Sequence, residues 1–159
     1  MPLIPQTPVL ARGFDILFDA KLAPQTTPDS AKAWAKAYTA YAVSAGIPLA
    51  ASRESSLAGA LATAFNPNLA GGGPPLFITA LNTFWAGLLL PYVPSVPPMT
   101  ATALPLVPTG GVTPPPQPED ATTTQKADTL AATIAAFTLG SVKVLVPAAP
   151  GPPTTIPIF

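Results

Sequence analysis

The stretch LFITALNTFWAGLLLPYVP, residues 76–94, holds Phe77, Phe84, Trp85 and Tyr92 and no charged side chain. A membrane span and a buried helix compete for it. A span needs about 20 consecutive apolar residues, but Pro91 and Pro94 cut the run short and Asn82 sits in its middle. No basic flank marks an inside face either. The better reading is a core helix over 75–89. Phe77, Leu81, Phe84 and Leu88 share one side, and Ile78, Trp85 and Leu89 take another. A helix apolar nearly all round is covered on several sides.

The rest of the composition describes the partners of that helix. The chain has 159 residues, enough for one domain with extended arms. Only 9% of them are charged, seven basic and seven acidic, for zero net charge, whereas globular chains average about 25%. The apolar fraction, 48%, is ordinary, so the departure lies in the missing charge. Charge depletion marks surfaces that other proteins cover, and zero net charge favours association. Proline is the second departure, 24 residues against a usual share of about 5%. Its runs cannot enter helix interiors, but they form pre-extended arms that lose little entropy on docking.

Taken in order, residues 1–11 read as an extended arm with apolar Leu3, Ile4, Val9 and Leu10 between prolines. Residues 12–22 read as a short helix with Phe14, Leu17, Phe18 and Leu22 in one stripe, a strand at FDILF being the alternative. The clearest helix follows, with Thr27 as N-cap, Pro28 and Asp29 in the first turn, and Gly46 as a left-handed stop. Its stripe of Trp34, Tyr38, Tyr41 and Ala45 faces a core. A helix over 53–65, capped by Ser52, presents Leu57, Leu61, Ala64 and Phe65. Residues 91–118 are a Pro-rich excursion from the helical domain, which spans 12–147. A last helix over 120–137 opens on Glu119 and Asp120, presents Leu130, Ile134 and Phe137, and stops at Gly140. Residues 141–146, SVKVLV, read as a strand, with Lys143 blunting a sheet edge. Residues 148–159 form a second Pro-rich arm ending in Ile156, Ile158 and Phe159. The shift that carries Phe84 onto Phe137 also carries Leu81 onto Ile134, Gly87 onto Gly140, Val93 onto Val146 and Pro94 onto Pro147. Each unit is a helix that hands off to an apolar extended segment.

Candidate chemistry is sparse. Without Cys or His, disulfides, thiolate chemistry, His-based triads and the usual zinc spacings are excluded. Asp15 and Asp19 read as a solvated helix face, and Glu119 and Asp120 as helix-start acids. The run at Gly71, Gly72 and Gly73 lacks the lysine and hydroxyl of a phosphate loop. Basic charge is too balanced for a nucleic-acid footprint, and the opening residues do not read as a signal peptide. No catalytic, cofactor-binding or metal-binding residue is nominated, and the expectation is a non-enzyme.

The segments ALNTFWAG at 80–87 and DTLAATIAAFTLGSVKVLVP at 128–147, in a small Ala/Thr/Pro-rich chain free of Cys and His, resemble minor virion proteins of tailed bacteriophages. That resemblance implies a structural subunit of the tail, baseplate or neck, present in several symmetric copies and contacting other subunits of the particle. A second likeness, to Ala/Pro-rich secreted proteins of actinobacteria, lacks the paired N-terminal motifs expected there. It leaves a soluble or secreted binding adaptor as the alternative, ahead of a small membrane-associated protein. The expected fold is mainly α, a small bundle of four or five helices with short edge strands and long Pro-rich arms. The expected partner contacts are Leu3, Ile4, Val9, Leu10, Tyr92, Val93, Ile156, Ile158 and Phe159.

Overall fold

A computed structural model describes residues 6–68, 73–89, 102–103, 118–141, 143–146 and 154–157. Most of them are helical: α1 (Thr7–Phe18), α2 (Thr27–Ser44), a 3-10 segment (Pro48–Arg53), α3 (Glu54–Ala64), α4 (Gly73–Leu89) and α5 (Thr123–Ser141). Three short strands complete the order: β1 (Thr102–Ala103), β2 (Lys143–Val146) and β3 (Thr154–Pro157).

Helix α1 corrects the arm reading over residues 7–11, while residues 1–5 lie outside the described residues. Pro8 lies in its first turn, where a missing N–H costs nothing, and Leu10, Ala11 and Phe14 form its buried stripe. The helix ends at Phe18 because Asp19 turns extended (ψ 126°). The Asp19 carboxylate then accepts the amides of Lys21 (2.7 Å) and Leu22 (2.8 Å). That local turn competes with further helix, so Leu22 falls outside and is 65% exposed.

Helix α2 has the expected span, but its N-cap is Thr26, one residue earlier than predicted. Thr26 Oγ1 accepts the Asp29 amide at 3.3 Å and donates to the Asp29 carboxylate at 2.6 Å. At the other end Gly46 takes φ 97°, a backbone that glycine adopts without Cβ strain. Gly46 N donates to Val43 O and Ile47 N to Ala42 O, a Schellman motif with Ile47 buried beyond it. Ser52 does not cap α3. It lies in the 3-10 segment and donates to Leu49 O (2.7 Å). After α3, the side chain of Asn66 accepts the Asn68 amide across Pro67.

The start of α5 differs from the expectation of Glu119 and Asp120. Thr122 and Gln125 form a capping box: Thr122 N donates to Gln125 Oε1 (2.8 Å) and Gln125 N to Thr122 Oγ1 (3.2 Å). The helix also runs through Gly140 to Ser141 rather than stopping there. Its buried stripe is Ala127, Ala131, Ile134, Ala135 and Thr138, with Leu130 and Phe137 only half-buried.

Helices α1 and α5 pack together, as do α1 and α2, α2 and α3, and α3 and α4. All five, with the 3-10 segment, contribute to one apolar core. Two aromatic hubs organise it. Trp34 meets Phe14 (ring centroids 4.4 Å), Phe77 (5.3 Å) and Phe65 (6.2 Å), joining α1, α4 and the end of α3 to α2. Tyr38 meets Phe84 (5.5 Å), Tyr41 (6.0 Å) and Trp85 (6.2 Å). Tilted and edge-on pairs of this kind add roughly 0.5–1.5 kcal/mol each beyond area burial.

The strands pair antiparallel in the order β1-β2-β3, with Thr102 opposite Leu145 and Val144 opposite Ile156. The strand expected to be a sheet edge is thus the central one, and residues 154–157 pair within the chain instead of standing as a free arm.

Candidate functional site

Three buried polar side chains of the core, Trp85, Tyr38 and Thr138, form a hydrogen-bonded relay. Trp85 Nε1–H donates to the Tyr38 hydroxyl at 2.8 Å. The Tyr38 hydroxyl is 2.7 Å from Thr138 Oγ1, which itself donates to Ile134 O at 2.8 Å. Since Thr138 spends its proton on Ile134 O, Tyr38 must donate to Thr138, and the chain of donors runs one way from α4 through α2 to α5. Every hydroxyl in it both gives and receives, which is the arrangement a dry core requires. Burial pushes the Tyr38 hydroxyl up to about 12, against the opposing pull of its Thr138 and Trp85 hydrogen bonds. Sequence periodicity located Tyr38 and Trp85; Thr138, on a stripe of alanines, carried no apolar signal to find it by.

Three buried side-chain atoms have no hydrogen-bond partner among the described residues: Asp15 Oδ1, Thr39 Oγ1 and Tyr41 Oη. Burial raises the Tyr41 hydroxyl, and the neighbouring Tyr38 adds to the effect. Among the described residues no three His, Cys, Asp or Glu side chains converge as a metal site would require, and no helix is long and apolar enough to cross a membrane.

The outer surface offers more. Ile16, Phe18, Leu22, Val43 and Leu49 are large apolar side chains left exposed, at 41%, 37%, 65%, 39% and 45%. They lie at the end of α1 and the turn after it, late in α2, and in the 3-10 segment. The exposed positions of α4, Pro75, Thr79, Thr83 and Ala86, include no charge. Thr79 and Thr83 return their hydroxyls to the carbonyls of Pro75 and Thr79 (2.9 Å each), so neither needs water as an acceptor. Arg53 reaches the last turn of α4, where its Nη2 donates to Gly87 O at 3.4 Å. A cation there complements the negative end of the helix dipole.

Of the residues expected to contact partners, Leu10 is fully buried in the chain's own core and Val9 is half-buried beside it in α1. Leu10 is withdrawn as an outward contact. Ile156 lies in β3, paired with Val144. Leu3, Ile4, Tyr92, Val93, Ile158 and Phe159 lie outside the described residues. Phe18 and Leu22, which the sequence placed on the apolar stripe, are exposed instead, as is Ile16. No protein-family profile matches the chain, and neither a curated protein nor a solved structure does.

Proposed function

We propose that this chain is a non-enzymatic structural subunit of a multi-protein particle, of the kind found in the tail, baseplate or neck of a tailed bacteriophage and assembled in the host cytoplasm. In this reading the helices form a bundle, and the Pro-rich segments around Leu3, Ile4, Tyr92, Val93, Ile158 and Phe159 are arms that dock on neighbouring subunits. One observation carries it: Trp85, Tyr38, Tyr41 and Phe14 are buried in the helical core, and yet Ile16, Phe18, Leu22, Val43 and Leu49 remain outside it in a chain poor in charge. Covering such side chains is worth about 25 cal/mol per Å² of apolar surface, and protein interfaces are where charge-depleted surface is put.

Native mass measurement across a range of concentrations tests this. The expected result is a defined species heavier than the 16.1 kDa monomer, or one that appears when partner subunits are co-expressed. A protein that stays monomeric at high concentration and with every co-expressed neighbour would favour the binding-adaptor reading.

A further inference from the structure

We propose that the groove between α2 and α3 receives the N-terminal shoulder of α5 from a second copy of this chain, joining copies head to tail by opposite charge. The inference rests on the assembly reading and names one contact within it. The groove encloses about 530 Å³ and is lined by Lys32 and Lys36 from α2 and by Glu54, Ala58, Gly59 and Ala62 from α3. Its floor is small and open: a Cβ placed on Gly59 would meet nothing within 4 Å. Lys32 pairs loosely with Asp29 (3.6 Å). Lys36 and Glu54 have no ion-pair partner among the described residues.

The shoulder of α5 has the opposite character. A notch of about 510 Å³ there is lined by Pro118, Asp120, Ala121, Gln125, Asp128 and Thr129, with two carboxylates and no cation among the described residues. Neither carboxylate is ion-paired among the described residues. Groove and notch sit on different helices, and α1 packs against both α2 and α5, so the two features belong to separate patches of one molecule.

The fit follows from these pieces. The α2 wall is basic, so Asp120 and Asp128 of the incoming copy lie along it, away from Glu54. The long side chain of Lys36 enters the acidic notch, and Pro118 and Ala121 rest on the alanine floor. Exposed ion pairs are individually weak; here they select which faces meet. Zero net charge leaves no long-range repulsion between copies. A contact between two unlike patches is heterologous, and it closes into a ring where the rotation between copies permits.

The test uses full-length protein in two charge-reversed forms. One carries Lys32→Glu and Lys36→Glu, and the other Asp120→Lys and Asp128→Lys; all four positions are exposed, so circular dichroism should match the wild type. By sedimentation at low salt the wild type is expected to associate, and each variant alone to associate at least about tenfold more weakly. An equal mixture should recover association, because each acidic face then meets a basic one. Wild-type association should also weaken as salt shortens the Debye length from about 10 Å to about 3 Å. Gly59→Gln, which places bulk on the groove floor without charge, should weaken association as well. If the wild type associates and the variants do so equally, this contact is overturned while the assembly reading stands. If the wild type is monomeric throughout, the head-to-tail contact is overturned, and co-expression with neighbours then decides the assembly reading separately.

Discussion

Tyr38 and Tyr41 lie one helical turn apart, both fully buried, with opposite consequences. Tyr38 bridges Trp85 and Thr138, so Tyr38→Phe removes an acceptor and a donor that other buried groups use. The cost should be about 1–3 kcal/mol, read as a lower urea midpoint with unchanged slope. The Tyr41 hydroxyl has no partner among the described residues, so Tyr41→Phe removes a desolvated polar atom and should be neutral or stabilising. A large loss for Tyr41→Phe would mean that its hydroxyl is satisfied after all. The same residues set the alkaline limit. Both hydroxyl pKa values are raised by burial, Tyr38 from 10.0 to about 12. The folded chain therefore holds these protons more tightly than the unfolded one. The Tyr38 contribution is complete below pH about 10 and is lost as pH rises through about 12. At about 1.4 kcal/mol per pKa unit, Tyr38 alone withdraws roughly 3 kcal/mol. Denaturation curves at pH 9, 10 and 11, with Tyr38→Phe as the comparison, check the window. Asp29 works at the other end of the scale. Its carboxyl is held low by the Thr26 hydroxyl and by Lys32, against some desolvation. Its contribution to the start of α2 is therefore present above the ordinary carboxylate range and fades as pH falls through its own, lower pKa.

Two glycines separate close packing from empty space. Gly13 of α1 lies against Ala37 of α2, and a methyl at Gly13 would come within 2.9 Å of the Ala37 Cα and overlap its Cβ. The backbones would have to separate, so Gly13→Ala should cost about 1–3 kcal/mol. Gly59 of α3 is exposed with nothing nearby, and Gly59→Ala should stabilise by about 0.5–1 kcal/mol through helix propensity alone. Thermal midpoints moving in opposite directions are the expected result; a shared direction would refute the α1–α2 contact. Legibility also divides along this scale. The Thr-Pro-Asp start and Gly46 stop of α2 were readable because each carries its own local chemistry, and so was α4, by its length and apolar content. The start of α1 was misread because prolines at positions 2, 5 and 8 mask a helix whose first turn tolerates the third of them. The face of α5 was read in part: Ile134 is in the core and Leu130 and Phe137 pack against it, but Ala127, Ala131 and Ala135 were missed, because alanine marks no face until a neighbour is packed against it. Its Thr122–Gln125 capping box was present in the sequence and outweighed by the more conspicuous acids before it. The hub at Trp34 and the relay through Thr138 join residues from separate helices, a pairing that no local pattern encodes.

At the scale of the whole molecule, the sheet follows the last helix directly and also meets α4 through β1. The residues described as the apolar core come from the helices, the 3-10 segment and the turn residues beside them. Residues 154–157 touch the described structure through backbone pairing with β2, and β2 follows α5 by a single residue. On the assembly reading, deleting residues 154–159 should leave the helical circular dichroism nearly unchanged, since no helix is cut. It should, however, remove β3 and strip one side of β2, whose unpaired N–H and C=O groups then form a new edge. The same deletion takes away Ile156, Ile158 and Phe159, apolar side chains in a molecule that is otherwise short of solubilising charge. If they serve assembly, the truncated protein folds but fails to reach the native mass of the full chain. If they serve only the fold, it loses helical content and aggregates. Dichroism and native mass on one sample distinguish the two, and a truncated protein that retains both would overturn the docking role of the C-terminal arm.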